Sequence, residues 1–297
     1  MDDRTEAARM TPADSDLPPR ATASTAPVHV VRARRGRAAL DLGALWTYRE
    51  LVYFFIWRDV KVRYRQTVLG GLWAIIQPVV TMVVFSVIFG KVAGISSDGL
   101  PYPIFCFAAL LPWTFFATGV QLGANSLVTS QNLLKRVYFP RLALPIAAVV
   151  TGLVDLAFAS LVLGAMMAAY GVVPSAAALL VVPLLLLSLL TTLGVGVWFA
   201  AVNVRYRDVK YVLPFLLQVW LFITPVAYPS SLIDEPWRTL SALNPNVGVV
   251  EGIRWALLGA DTMPLPLILA STCSALVVLI SGLYYFRHVE GTFADVV

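Results

Sequence analysis

Arg58-Asp59-Val60-Lys61-Val62-Arg63-Tyr64-Arg65-Gln66-Thr67-Val68-Leu69-Gly70-Gly71 is a dense basic segment that runs straight into an apolar stretch beginning at Leu72. Lys and Arg beside a spanning helix stay on the cytoplasmic side, because carrying them across the bilayer costs far more than leaving them. The junction therefore sets the N-terminus inside and makes Leu72 the expected start of a first crossing.

Composition points the same way. The chain is 59% apolar and only 13% charged, with a mean hydropathy of +0.77; a soluble domain carries charge on roughly a quarter of its residues. An all-α polytopic membrane protein is expected. A pI near 9.3 would suit a nucleic-acid binder, but here the cations sit beside apolar spans, so nucleic acid is not expected as a partner. Cys106 and Cys273 both fall in apolar runs without metal-ligand spacing, and read as small core residues rather than a metal site or disulfide.

Upstream of the quoted stretch, residues 1–38 are rich in Pro, Ala, Asp and Arg and lack an apolar h-region, and we read them as a disordered cytosolic tail. Arg32, Arg34, Arg35 and Arg37 suit anionic lipid or plain solvation equally. From about Asp41 to Gln66 apolar residues such as Leu45, Tyr48, Val52, Phe55 and Ile56 recur at helical spacing. Residues 39–68 are therefore assigned to an amphipathic helix lying along the inner membrane face. Arg58, Lys61 and Arg65, at i, i+3 and i+7, form a basic stripe with two open readings. One is topology and headgroup contact; the other is reception of a phosphate-bearing lipid substrate.

Downstream, six spans are expected, at about Leu72–Gly90, Pro103–Leu122, Leu142–Tyr170, Ala176–Val202, Tyr211–Tyr228 and Pro264–Phe286. Between the last two, Val247–Val250 and Trp255–Leu258 are apolar runs too short to cross, and read as re-entrant or interfacial helices. Of the 22 Lys and Arg, all but Lys91, Arg238 and Arg254 then fall on inner segments, and both termini are cytosolic.

No catalytic constellation is present. The two histidines, His29 and His288, lie in the tails, and Gly90-Lys91 is followed by Val92 rather than by Ser or Thr. Asp155 is the one deep carboxylate, with two readings: a transport role, or a hydrogen bond to Thr151 or to a neighbouring helix. A single acidic residue makes a weak proton relay, so a nucleotide-driven partner explains transport better than a gradient.

Several motifs in order carry a resemblance: Tyr64-Arg65-Gln66-Thr67-Val68-Leu69-Gly70, Leu111-Pro112-Trp113-Thr114-Phe115-Phe116, Lys135-Arg136-Val137-Tyr138-Phe139-Pro140-Arg141, Asn203-Val204-Arg205-Tyr206-Arg207-Asp208 and Phe293-Ala294-Asp295. Over roughly Asp41 to Val297 the chain resembles the membrane subunits of type-2 ABC exporters for polysaccharides and polyol phosphates, which handle O-antigen, capsule, teichoic acid and galactan. The resemblance implies a six-span exporter domain over residues 69–297 in the bacterial cytoplasmic membrane. It further implies a homodimer, two copies of a cytosolic ATPase that binds the ATP and Mg, and a lipid-linked polymer crossing between the two permease copies. No cofactor is expected in this chain itself.

Given that resemblance, Ser130–Arg141 is expected to be a coupling helix ended by Pro140. Leu133, Leu134, Val137, Tyr138 and Phe139 would supply its apolar contact, and Asn132, Lys135 and Arg136 its polar contact. Asn203–Lys210, with Arg205 and Arg207, would make a second, weaker contact. Leu69 and Gly70 occupy the place of the family's Leu-Gly loop beside the cytosolic gate; a mere helix break is the competing account. A sugar polymer needs flat apolar faces along a wet path, which Trp113, Phe115, Phe116, Trp220, Phe222 and Tyr228 could supply, although spanning-helix aromatics more often pack. Glu251 and Arg254, at i and i+3, either close the exit or form a local ion pair. Export of a drug or small lipid and membrane-embedded glycosyl transfer are the alternative functions; the second would need an acidic cluster, and only isolated carboxylates such as Asp59 and Asp208 are present.

Overall fold

The computed structural model describes residues 42–65, 70–259 and 263–291. The expected N-terminal tail, Leu69 and the Phe293-Ala294-Asp295 motif lie outside the described residues. Among those described, every regular element is helical.

The order is α1 (Leu42–Thr47), α2 (Arg49–Arg65), α3 (Trp73–Phe85, continued by a π-helical turn over Ser86–Val92), α4 (Tyr102–Thr129) and α5 (Gln131–Arg136). It continues with α6 (Ala143–Tyr170), α7 (Val181–Arg205, preceded by a 3-10 turn at Ala176–Leu180), α8 (Val209–Ile223), α9 (Trp237–Ser241), α10 (Pro245–Leu258) and α11 (Leu265–Glu290). Among the described residues five helical segments are long and apolar enough to cross a membrane: Trp73–Val92, Tyr102–Thr129, Ala143–Tyr170, Ala176–Arg205 and Leu265–Glu290.

Three expectations are corrected. The helix expected over Tyr211–Tyr228 is α8, which stops at Ile223. Thr224 is extended because Pro225 follows it, and the residue before a proline is driven from the helical region. At 15 residues α8 rises about 22 Å, short of a hydrocarbon core of about 30 Å. The second span runs on to Thr129 instead of ending at Leu122, its polar end bonding back to its own backbone: Asn125 donates to the Gln121 carbonyl and Ser126 to that of Gly123. The two short apolar runs after the fifth span lie on one continuous helix, α10, opened by Asn244 accepting from the Asn246 amide and closed by Gly259 at φ 76°.

α4 is the centre of the bundle, packed against α6 and α7, while α7 also packs on α11 and α10 sits against α4, α7 and α11. The α7–α11 contact is backbone on backbone. A Cβ on Gly282 would lie 2.6 Å from the Gly194 carbonyl oxygen, and one on Gly194 would lie 2.8 Å from the Leu279 backbone. Small residues are what let two helices close to this distance in a bilayer, where no hydrophobic force drives them together.

Candidate functional site

α2 is held lengthwise along α6. Near its middle Phe55 is buried against Phe139 at 5.4 Å between ring centroids; at its end Tyr64 meets Phe158 at 6.2 Å. Between these rings the Arg63 guanidinium pairs with Asp155 at 2.7 Å, and the Tyr64 hydroxyl donates to the same carboxylate. Burial, reinforced by that hydrogen bond, pushes the Tyr64 phenol above its ordinary range, so it stays a protonated donor. Of the partners open for Asp155 the neighbouring helix is the one seen; Thr151 donates instead to the Ala147 carbonyl.

The basic stripe is not a free surface throughout. Arg58 pairs with Asp59 at 2.8 Å and lies over the Phe55 ring, and Lys61 lies over Trp57 at 4.3 Å, while Arg65 is exposed. Gly70 opens the 3-10 turn Gly70–Leu72.

Beside the Asp155 cluster, a cavity of about 520 Å³ opens between the end of α2, α3, α4 and α6. Trp73, Gln77 and Thr81 of α3 face Thr114, Thr118 and Gln121 of α4 across it, with Arg63, Tyr64 and Asp155 at one side. The spacing explains the polar wall: Gln77 and Thr81 are one helical turn apart, as are Thr114 and Thr118, and Gln121 continues that face. Pro78 has no amide to bond the Ala74 carbonyl one turn back, and both residues also line the space.

The coupling segment differs from expectation. α5 ends at Arg136 rather than at Pro140, and Val137 is extended (φ −132°, ψ 134°). β-branched Val137, aromatic Tyr138 and a Phe139 restricted by the following proline all favour extended backbone over helix. Tyr138 is 77% exposed and Val137 53%, whereas Phe139 is 4% exposed. Phe139 thus turns away from the exposed side of the segment and anchors it in the core against Phe55. Asn132, Lys135 and Arg136 are exposed, Leu133 is half-buried, and Pro140 follows Phe139 as part of the extended stretch.

Between α7 and α8 Arg205 and Arg207 are exposed, Arg205 lying over the Tyr206 ring. Asn203 is buried and donates to the Ala124 carbonyl and to Asn125, tying the end of α7 to the end of α4.

Most of the aromatics expected along a channel are packing. Phe116 is fully buried, 5.5 Å from Trp113 and 5.1 Å from Trp220. Phe115 is buried too, although it and Trp113 reach the edge of the cavity. Phe222 is exposed, and Tyr228 is half-buried with its hydroxyl on the Phe222 carbonyl.

Arg254 is a structural clamp. It is 3% exposed, donates to the carbonyls of Pro225 (2.7 Å), Val226 (2.7 Å) and Phe105 (3.2 Å), and lies over the Phe105 ring at 3.6 Å. Glu251 pairs with it at 3.2 Å and accepts from the Ser230 amide. The pair fixes the chain that follows α8 onto α10 and α4, and of the two readings the local ion pair is the one seen.

Arg63 and Tyr64 are the site residues that sequence reasoning missed. The signal was present: a lone carboxylate inside a span calls for a partner, and Arg63 is a cation near the end of α2 that stands off the basic stripe.

Residues 50–258 match the model of the ABC-2 type transporter family. The chain is 37% identical over 209 residues, 69% of its length and 79% of the other protein's, to an O-antigen export system permease of Myxococcus xanthus. It is 24% identical over 240 residues to an O-antigen export system permease of Klebsiella pneumoniae, covering 80% and 92% of the two chains. With a polysialic acid transport protein of Escherichia coli it shares 26% identity over 204 residues, 68% and 78% of the two.

Proposed function

The chain belongs to the ABC-2 type transporter family, and on that premise we propose that it is the permease subunit of an ATP-driven exporter carrying a lipid-linked polysaccharide across the bacterial cytoplasmic membrane. Two copies of the chain assemble with two copies of a separate cytosolic ATPase, which binds ATP and Mg. α1 and α2 form the interface element on the cytosolic side, Leu69 and Gly70 serve as a hinge or in lipid-phosphate entry, and both termini are cytosolic. α8 with the turn that follows it makes the fifth of six crossings, and α10 is a re-entrant helix near the outer face. The apolar surface left open on α3 and α8, where Val80, Val83 and Val84 and then Phe215, Val219 and Phe222 are exposed, is where the second copy sits.

The observation that carries this reading is the knob at Val137-Tyr138. An aromatic side chain 77% exposed, between Lys135-Arg136 and Arg141 on a cation-rich segment and pinned from behind by buried Phe139, asks for a partner's apolar groove. Arg205 and Arg207 flank the same side as a second contact. Because Tyr138 is exposed, Tyr138→Glu leaves the bundle intact; it should lower recovery of the ATPase with the affinity-purified permease at least tenfold. Undiminished recovery refutes the docking assignment.

A further inference from the structure

We propose that the cavity between α2, α3, α4 and α6 is a binding site for an electrically neutral sugar unit, and that it selects uncharged over acidic glycans. The inference rests on the exporter reading and adds to it the charge class of the substrate and a subsite inside one copy of the chain.

Size comes first. At about 520 Å³ the space falls within the range of roughly 300–1,000 Å³ typical of small-molecule sites. Its chemistry then narrows the ligand. An acyl chain would leave the side-chain amides of the wall without partners, a cost of about 1–3 kcal/mol for each such group that it buries. A ring bearing several hydroxyls, each both donor and acceptor, matches them. The Thr81 and Thr114 hydroxyls already donate to carbonyls of their own helices, at 2.9 and 3.1 Å, and so present acceptor lone pairs. The side-chain amides of Gln77 and Gln121 have no hydrogen-bond partner among the described residues and are free both to donate and to accept. Trp73, exposed beside the space, adds an apolar face of the kind that covers the C–H surface of a pyranose.

Charge decides between neutral and ionic ligands. Arg63 and Asp155 are the ionised groups on the wall, and each neutralises the other at 2.7 Å, with the Tyr64 hydroxyl also committed to the carboxylate. Arg63 keeps one buried nitrogen, Nη1, without a partner, and a sugar hydroxyl can accept from it; a phosphate or carboxylate placed there would meet a cation already paired and would also approach Asp155, and a cation would find the carboxylate taken. A neutral polyol avoids both penalties.

The test uses the full-length permease in lipid nanodiscs. Two photo-probes are compared: maltotriose bearing a diazirine, and the same trisaccharide with its terminal glucose replaced by glucuronic acid. Cross-links are mapped by peptide mass spectrometry. The neutral probe should label 73–81 of α3 and 114–121 of α4, and the acidic probe at least tenfold less. Asp155→Asn, which frees the Arg63 cation, should raise labelling by the acidic probe severalfold. Gln121→Leu, which leaves the ion pair intact, should cut labelling by the neutral one. Equal labelling by both probes, labelling confined to the open faces of α3 and α8, or none at all overturns the proposal. ATPase recovery measured on the same preparation separates the two levels: if it persists while labelling fails, only the subsite is lost; if no ATPase associates, the exporter reading itself falls.

Discussion

α3 and α4 follow one another in the chain and both qualify as membrane crossings by length and composition, yet 78% of the most apolar window of α4 is buried and only 17% of that of α3. The difference lies in which residues occupy the faces. α4 brings Cys106, Ala108, Ala109, Gly119, Gly123 and Ala124 to its neighbours, so α6 and α7 approach closely, with Phe105, Phe107 and Phe116 filling the gaps. α3 turns Val80, Val83, Val84 and Val87 outward. Apolarity thus marks what can enter a bilayer; side-chain size marks what can be covered by protein.

The contrast is broken most sharply at Phe116. Phe116→Ala removes a fully buried ring held between Trp113 and Trp220 and should cost about 3 kcal/mol, the low end for large-to-small core changes, because lipid and core are comparably apolar. Thermal unfolding in detergent would show it as the largest Tm loss of the variants considered, and an unchanged Tm would mean that α4 is not the packing centre.

Gly282→Leu tests close approach at a second contact. A side chain there meets the Gly194 carbonyl within the α7–α11 contact, so the helices must separate at a cost of about 2 kcal/mol. Gly164 has nothing within 4 Å of a Cβ, and Gly164→Ala should leave Tm the same or slightly higher. A similar fall in both variants would dismiss close packing as the reason for Gly282.

Much of this architecture was legible beforehand, because long apolar runs and flanking cations are local signals. The spans at Leu142–Tyr170 and Ala176–Val202 were placed to within three residues of the helical segments seen. What escaped depended on which groups meet in space. Phe139 and Tyr138 are adjacent and chemically alike, but Phe55 waits on only one side of the chain, so one is core and the other exposed. Trp113 and Phe116 were expected along a channel because aromatic content is visible in sequence, whereas the Trp220 ring that covers Phe116 comes from α8, 104 positions away. Asp155 needed a partner, and nothing local says that it is Arg63, 92 residues upstream. The polar wall of the cavity was equally hidden, since Gln77 and Thr118 look like isolated polar positions until α3 and α4 are laid side by side.

That ion pair gives the third prediction. Arg63 and Asp155 keep side-chain exposures of 34% and 17%, so water screens the pair in part. Asp155→Asn should destabilise by about 1 to 2 kcal/mol, less than losing a fully buried pair, and should speed hydrogen exchange in α2 while leaving α7 and α11 protected. Loss of protection spread evenly over the bundle would instead make Asp155 a general core residue.

The smallest effect is expected on α3, where it is most informative. Val83 is half exposed on the outward face, so Val83→Ala removes two methyl groups that touch lipid or a second copy, not the core of the same chain. In an isolated chain the loss should stay below about 0.5 kcal/mol, because trading a methyl contact with lipid for lipid filling the same space is nearly neutral. If two copies pack through this face, the same substitution should weaken their association measurably at low protein-to-detergent ratio while the Tm of the separated chain holds. A fall in monomer Tm comparable to that of Phe116→Ala would mean that α3 is packed as tightly as α4, and the distinction between a helix that can enter the bilayer and one that the protein itself covers would not hold here.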